Sequence, residues 1–218
     1  MKTKKKVFAG SAYLVAVLTV SGGLLVANLF AQRGRPTYDY SRDDETLVVV
    51  MKREHGMIGN PDPTPLLRIY GSGRVHVHFP QYMKRAGDYF LYLTEQEMTA
   101  LLSGCVDRGL MEFDAPAVKT ARHDVRRERL QSTLQQGAPV VMTERQDETT
   151  TVIEFTFDRY QGAGPDEPIR TFSKKIAWPD LEHDAREFPQ VGAILDLAAA
   201  AAELSRLTER EDLLKGSN

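Results

Sequence analysis

Cysteine is nearly missing from this sequence: Cys105 stands alone in 218 residues. An intramolecular disulfide is excluded, and a chain of this size does not need one to stabilise its core. Because no cysteine follows the N-terminal apolar run, a lipid-modified cysteine anchor is excluded too. No Gly-x-Ser-x-Gly elbow, phosphate-cradling glycine loop or His-Glu-x-x-His helix occurs, so the enzyme classes built on those motifs have no support. Nor is there a basic surplus. The formal charge is −2, and Lys2, Lys4, Lys5 and Lys6 precede every acid, so the balance beyond residue 31 is about −6. General nucleic-acid binding depends on a cationic surface that displaces counterions, and this composition argues for no nucleic-acid role.

What is present is an ordinary globular composition, 42% apolar and 27% charged, behind an unusual N-terminus. The four lysines lead into an uncharged run from Val7 to Ala31, followed by Arg33 and Arg35. As a helix this run would reach about 38 Å, more than the hydrocarbon thickness of a bilayer. The lysine excess places the N-terminus on the cytoplasmic side and the remainder across the membrane. Residues 1–31 are therefore expected to be a transmembrane signal-anchor, with a cleaved signal peptide as the alternative that Ser21-Gly22-Gly23 leaves open. The localisation that follows is a domain on the periplasmic or extracellular side, anchored in the inner membrane or secreted after cleavage. Residues 32–44 are polar and aperiodic, a tether.

From residue 45 the patterns alternate between strand and helix. Leu47–Met51 is a short β-branched run, and the glycines and prolines between Gly56 and Pro65 make a loop. Gly71-Ser72-Gly73 joins Leu66–Tyr70 to Arg74–Phe79 as a hairpin. A strand over Tyr89–Leu93 follows. Thr94 with Glu97 three residues on forms a capping box, and Met98, Leu101, Leu102 and Cys105 make an apolar stripe that Gly109 ends. A polar helix over 118–135 leads to strands over Val152–Tyr160 and Ile169–Trp178. Pro189 suits the start of a last, alanine-rich helix that runs from Val191 to near Gly216. The expected fold is α+β: a mostly antiparallel sheet with two main helices packed on it, preceded by the N-terminal transmembrane or signal helix. A single domain over 45–214 is expected, with possible halves 45–116 and 138–214 joined by the polar helix.

The run LRIYGSGRVHV, the segment LTEQEMTALLSGCVDRGLMEFD, the strand TTTVIEFTFD and the terminal helix together resemble small exported bacterial α+β domains of uncharacterised function. Some domains of this shape are protease inhibitors of the emfourin type. The resemblance implies an inhibitor-like role at most; the export signal, the ordinary core and the missing catalytic motifs lead to a non-catalytic envelope domain that binds another macromolecule, accessory or inhibitor-like.

Among single residues, His76 and His78 stand out. Two apart on a strand, both imidazoles project from one face and could meet one metal ion. A third ligand has to come from elsewhere, with His55, Asp62 and His183 as candidates. No cofactor is otherwise implied. The competing reading is a wet strand face, where polar residues belong; an enzyme centred on the histidine pair is the alternative function. Asp180, Glu182, His183, Asp184 and Glu187 form an acidic cluster read as a solvated helix start. Lys119, Arg122, Arg126 and Arg129 fall within about 80° on one helical face, from the 100° step per residue. That stripe is a candidate site for an acidic protein partner or for anionic lipid. Cys105, on an apolar stripe, reads as core. The terminal helix, through Ala198–Ala202, Leu204 and Leu207, offers a self-assembling structural component as a third function. The oligomeric state is left open.

Overall fold

Strict alternation in the middle of the chain builds the sheet. In the computed structural model, which describes residues 34–56, 62–137, 148–164 and 166–216, every second side chain over Leu67–Tyr70 and Arg74–Phe79 is apolar and buried. The strands are β1 (Thr37–Asp39), β2 (Leu47–His55), β3 (Leu67–Tyr70), β4 (Arg74–Phe79), β5 (Gly87–Tyr92), β6 (Thr149–Gln161), β7 (Arg170–Pro179) and β8 (Leu214–Lys215). The helices are α1 (Glu95–Asp107), α2 (Ala115–Gln135), α3 (Leu181–Glu187) and α4 (Gly192–Arg206). Two units are distinguished, one made of residues 38–160 and 170–216, the other containing residues 34–37 and 161–169. In the second unit the Gln161 side chain donates to the Glu167 carbonyl at 2.9 Å.

In the larger unit the sheet order is β7-β6-β2-β3-β4-β5-β8, with β1 also beside β6. The registered pairs are antiparallel. One face carries Val49, Met51, Leu67, Ile69, Val75, Val77, Ile153 and Phe155, all with exposures below 2%. Onto it pack Met98, Leu101, Leu102 and Cys105 of α1 and Ile194, Leu197, Ala200 and Leu204 of α4, in one continuous cluster. Each large side chain buried there contributes about 1.5–3 kcal/mol relative to exposure. Val118 of α2 and Leu181 of α3 join the same cluster, so all four helices lie on this face. The other face presents a register row of Lys175, Glu154, Val50, Arg68, His76 and Phe90, to which Leu214 adds the last member.

The fold is thus α+β with a mostly antiparallel sheet, and among the described residues there are four α-helices where two main ones are expected. The apolar run 7–31 lies outside the described residues; among those described, no helix is long and apolar enough to cross a membrane. Part of the segment read as a tether is structured: β1 lies within it, and Tyr40 is buried. The terminal helix also stops early, at Arg206. A 3₁₀ turn over Leu207–Glu209 follows it, and Arg210 comes next. Its guanidinium donates to Glu97 at 2.7 Å and to Asp212 at 2.6 and 2.9 Å, turning the chain back so that β8 pairs with β5. Pro189 precedes α4 by a short turn and is not its first residue. At the N-terminus of α1 the capping box forms as written in the sequence: the Glu97 amide donates to Thr94 Oγ1 at 3.2 Å, and the Thr94 amide to Glu97 Oε2 at 2.8 Å.

Candidate functional site

His76 and His78 project from β4 on the face opposite the helices, as residues two apart on a strand must. Their surroundings come from three neighbouring segments. Asp88 stands directly opposite His78 in the β4–β5 ladder, and Arg68 opposite His76 in the β3–β4 ladder. Asp62 comes from the proline-rich loop before β3. Asp88 Oδ1 lies 2.7 Å from His76 Nε2 and 2.8 Å from His78 Nδ1, while Asp62 Oδ2 lies 2.8 Å from His78 Nε2. Arg68 Nη1 reaches His76 Nδ1 at 3.0 Å, and the His76 ring stacks on Phe90 at 4.9 Å. Both imidazoles are only about 15% exposed.

These contacts assign the protons. A guanidinium can only donate, so His76 Nδ1 accepts and its Nε2 carries the hydrogen given to Asp88. Both nitrogens of His78 face carboxylate oxygens, so both donate and the ring is an imidazolium. Burial alone would disfavour that charge; the hydrogen bonds to Asp88 and Asp62 outweigh it and raise the His78 pKa above its ordinary value. The carboxylates respond in kind. Hydrogen bonds from Thr64 and then His78 hold Asp62 down to about 2, and the bond from His78 lowers Asp88.

With His78 protonated, Arg68, His78, Asp62 and Asp88 cancel in charge, so the cluster is a neutral latch that ties loop 62–64 to β4 and β5. Its contribution to stability has a definite pH sense. For a raised histidine pKa, stability is complete below about pH 6.5, the unfolded value, and drains away as pH rises through the folded pKa. The lowered carboxylates act on the acid side, where stability is lost as pH falls below the usual carboxylate range towards 2. The variant His78→Gln should therefore unfold at lower urea, with a loss of roughly 1–3 kcal/mol at pH 6. Its stability should also vary less between pH 6 and pH 9 than that of the parent. Equal slopes in the two proteins would remove His78 from the latch.

Of the candidate third ligands, Asp62 does reach the pair, but as a hydrogen-bond acceptor. His55 is engaged instead with Thr149 at 3.1 Å, and His183 sits in α3. Asp88 Oδ1 lies between the two imidazoles, where a shared ion would have to sit. No group of three or more His, Cys, Asp or Glu side chains among the described residues is arranged to hold a metal ion.

The basic stripe is split by the fold. Arg122 turns inward and donates to Asp184 at 2.5 Å, lying 5.6 Å from the Trp178 ring centroid. Arg129 donates to the Glu187 carboxylate at 3.1 Å and to the Glu187 carbonyl at 2.8 Å. Lys119 and Arg126 stay exposed, with no ion pair among the described residues. The acidic cluster departs from the solvated start expected of it: Asp184 is buried and also accepts from Trp178 Nε1 at 2.8 Å. Cys105 is 1% exposed, and burial, with Glu203 nearby, pushes its thiol up to about 12, so it holds no thiolate at neutral pH.

No family model, curated protein or solved structure matches the chain.

Proposed function

We propose that this chain is a non-catalytic envelope protein, held in or exported across a membrane by residues 7–31, whose α+β domain binds another macromolecule as an accessory or inhibitor-like module. One observation carries the non-catalytic part. All four ring nitrogens of His76 and His78 are occupied by Asp88, Asp62 and Arg68, which leaves neither imidazole a free lone pair for a proton, a metal or a substrate. The membrane part is supported by the lysines and the uncharged run Val7–Ala31.

The test uses the full chain made in bacterial cells. It should sediment with the inner membrane, and protease added outside spheroplasts should cut beyond residue 31. The purified protein should bind no zinc stoichiometrically and turn over no substrate in a hydrolase screen. A soluble cytosolic chain would overturn the compartment. Turnover abolished by His76→Ala with His78→Ala would replace the binding role with the enzyme centred on that pair.

A further inference from the structure

The helix α2 is hard to account for on its own packing. Of its 21 residues only Val118 is buried, with Val125 half-buried against the core, yet most helical stability in proteins comes from the packing of an apolar face. Its inward side is held by Val118 and by Arg122 and Arg129, which grip Asp184 and Glu187. Beside that side runs a second stripe. Lys119, Arg126, Leu130 and Leu134 fall within about 80° of one another at the 100° helical step, and they extend about 22 Å along the axis. Leu130 is 37% and Leu134 60% exposed, one turn apart. The acids of the helix, Asp124 and Glu128, lie away from this stripe, and Asp124 is already paired with Arg127.

We infer that this face of α2 is the docking surface for an acidic, amphipathic helix of a protein partner. The inference rests on reading the domain as a binding module and names its site. The chemistry selects the occupant. Two cations with no ion pair among the described residues ask for carboxylates, and two exposed leucines in line ask for an apolar ridge of helical spacing. The stripe also stands out in charge from a domain that is otherwise net acidic. Large aromatics are missing from the helix, and these are what anchor an interfacial helix in lipid, so a protein partner is favoured over a bilayer.

The probe is a synthetic helix of about 20 residues with leucines at i, i+4 and i+7 and glutamates flanking them, followed by fluorescence anisotropy with the purified chain. Binding should weaken as salt rises. It should fall at least about tenfold in Lys119→Glu with Arg126→Glu, and again in Leu130→Ser with Leu134→Ser. The control Lys84→Glu with Arg85→Glu, in the connection between β4 and β5, should bind as the parent does. All six substituted positions are exposed, and circular dichroism checks that the variants are folded. Absence of peptide binding, or equal binding by every variant, would overturn the assignment. So would a preference for anionic vesicles over the peptide, or self-association lost in the leucine variant. Failure here with a partner still bound elsewhere leaves the module reading standing; enzymatic turnover would sink that reading instead.

Discussion

Replacing Asp184 by alanine is expected to destabilise the domain by roughly 3–5 kcal/mol, the cost of breaking a buried charged pair from one side. Asp184 is 5% exposed, and its Oδ2 accepts from both Trp178 Nε1 and Arg122 Nη1. Removing the carboxylate strands an indole N–H in the core and a guanidinium that is itself only 24% exposed. Arg122→Ala should cost less, because the carboxylate keeps its bond from Trp178. The double variant should fall short of the sum, as coupled partners do. Loss of Asp184 also loosens α2, whose attachment runs through Arg122, so its amides should exchange faster than those of α1. Urea midpoints with unchanged slopes measure the first effect and hydrogen exchange the second. A loss below about 1 kcal/mol would mean that Asp184 is not the buried acceptor described.

The second large effect is expected at Gly71. A Cβ there would lie 1.7 Å from the Ser41 carbonyl oxygen, which is backbone and cannot swing aside. Residues 41–46 are pinned across the β3–β4 turn by Gly71 N donating to the Thr46 carbonyl at 2.9 Å and Ser72 N to the Asp43 carbonyl at 2.8 Å. The Ser72 hydroxyl adds a bond to Asp44 at 2.5 Å. Gly71→Ala should therefore cost about 3 kcal/mol, the upper end of the usual penalty for overpacking, and release residues 41–46 to exchange. Gly192→Ala is the matched control. No atom lies within 4 Å of its Cβ position and the site begins α4, so stability should hold or rise by about 0.4–1 kcal/mol. Similar losses for the two would show that the close approach at Gly71 is not a constraint.

These two sites mark the limits of what the residues alone reveal. The glycine turn is legible, but for only half its reason. Gly73 has the positive φ of 86° that a hairpin glycine supplies, whereas Gly71 is required by the connection after β1 passing over it, a contact between segments some thirty positions apart. The capping box of α1 and the alternation of β4 are local facts, so sequence and structure coincide there. Asp184 is not legible, because four neighbouring acids and bases make its segment look solvated. Nothing local announces Trp178 six residues earlier or Arg122 on another helix.

The histidine pair falls between these cases. Period two puts both rings on one face, and the sequence offers Asp62 as a neighbour. It does not announce Asp88, although that residue lies just past the next turn. The connection from Phe79 to Gly87 is too long for turn type to set the register, and only that register places Asp88 opposite His78. The helical step puts the basic stripe on one helix, and the fold divides it: the inward Arg122 and Arg129 find Asp184 and Glu187, while Lys119 and Arg126 have no ion pair among the described residues.

The most direct test of the account is nitrogen-detected NMR of the histidine side chains at pH 7, with and without zinc. Both ring nitrogens of His78 should be protonated, His76 should be the Nε2–H tautomer, and neither spectrum should move when zinc is added. An unprotonated His78 nitrogen whose resonance shifts on adding the metal would contradict it, and would return the pair to ligand chemistry.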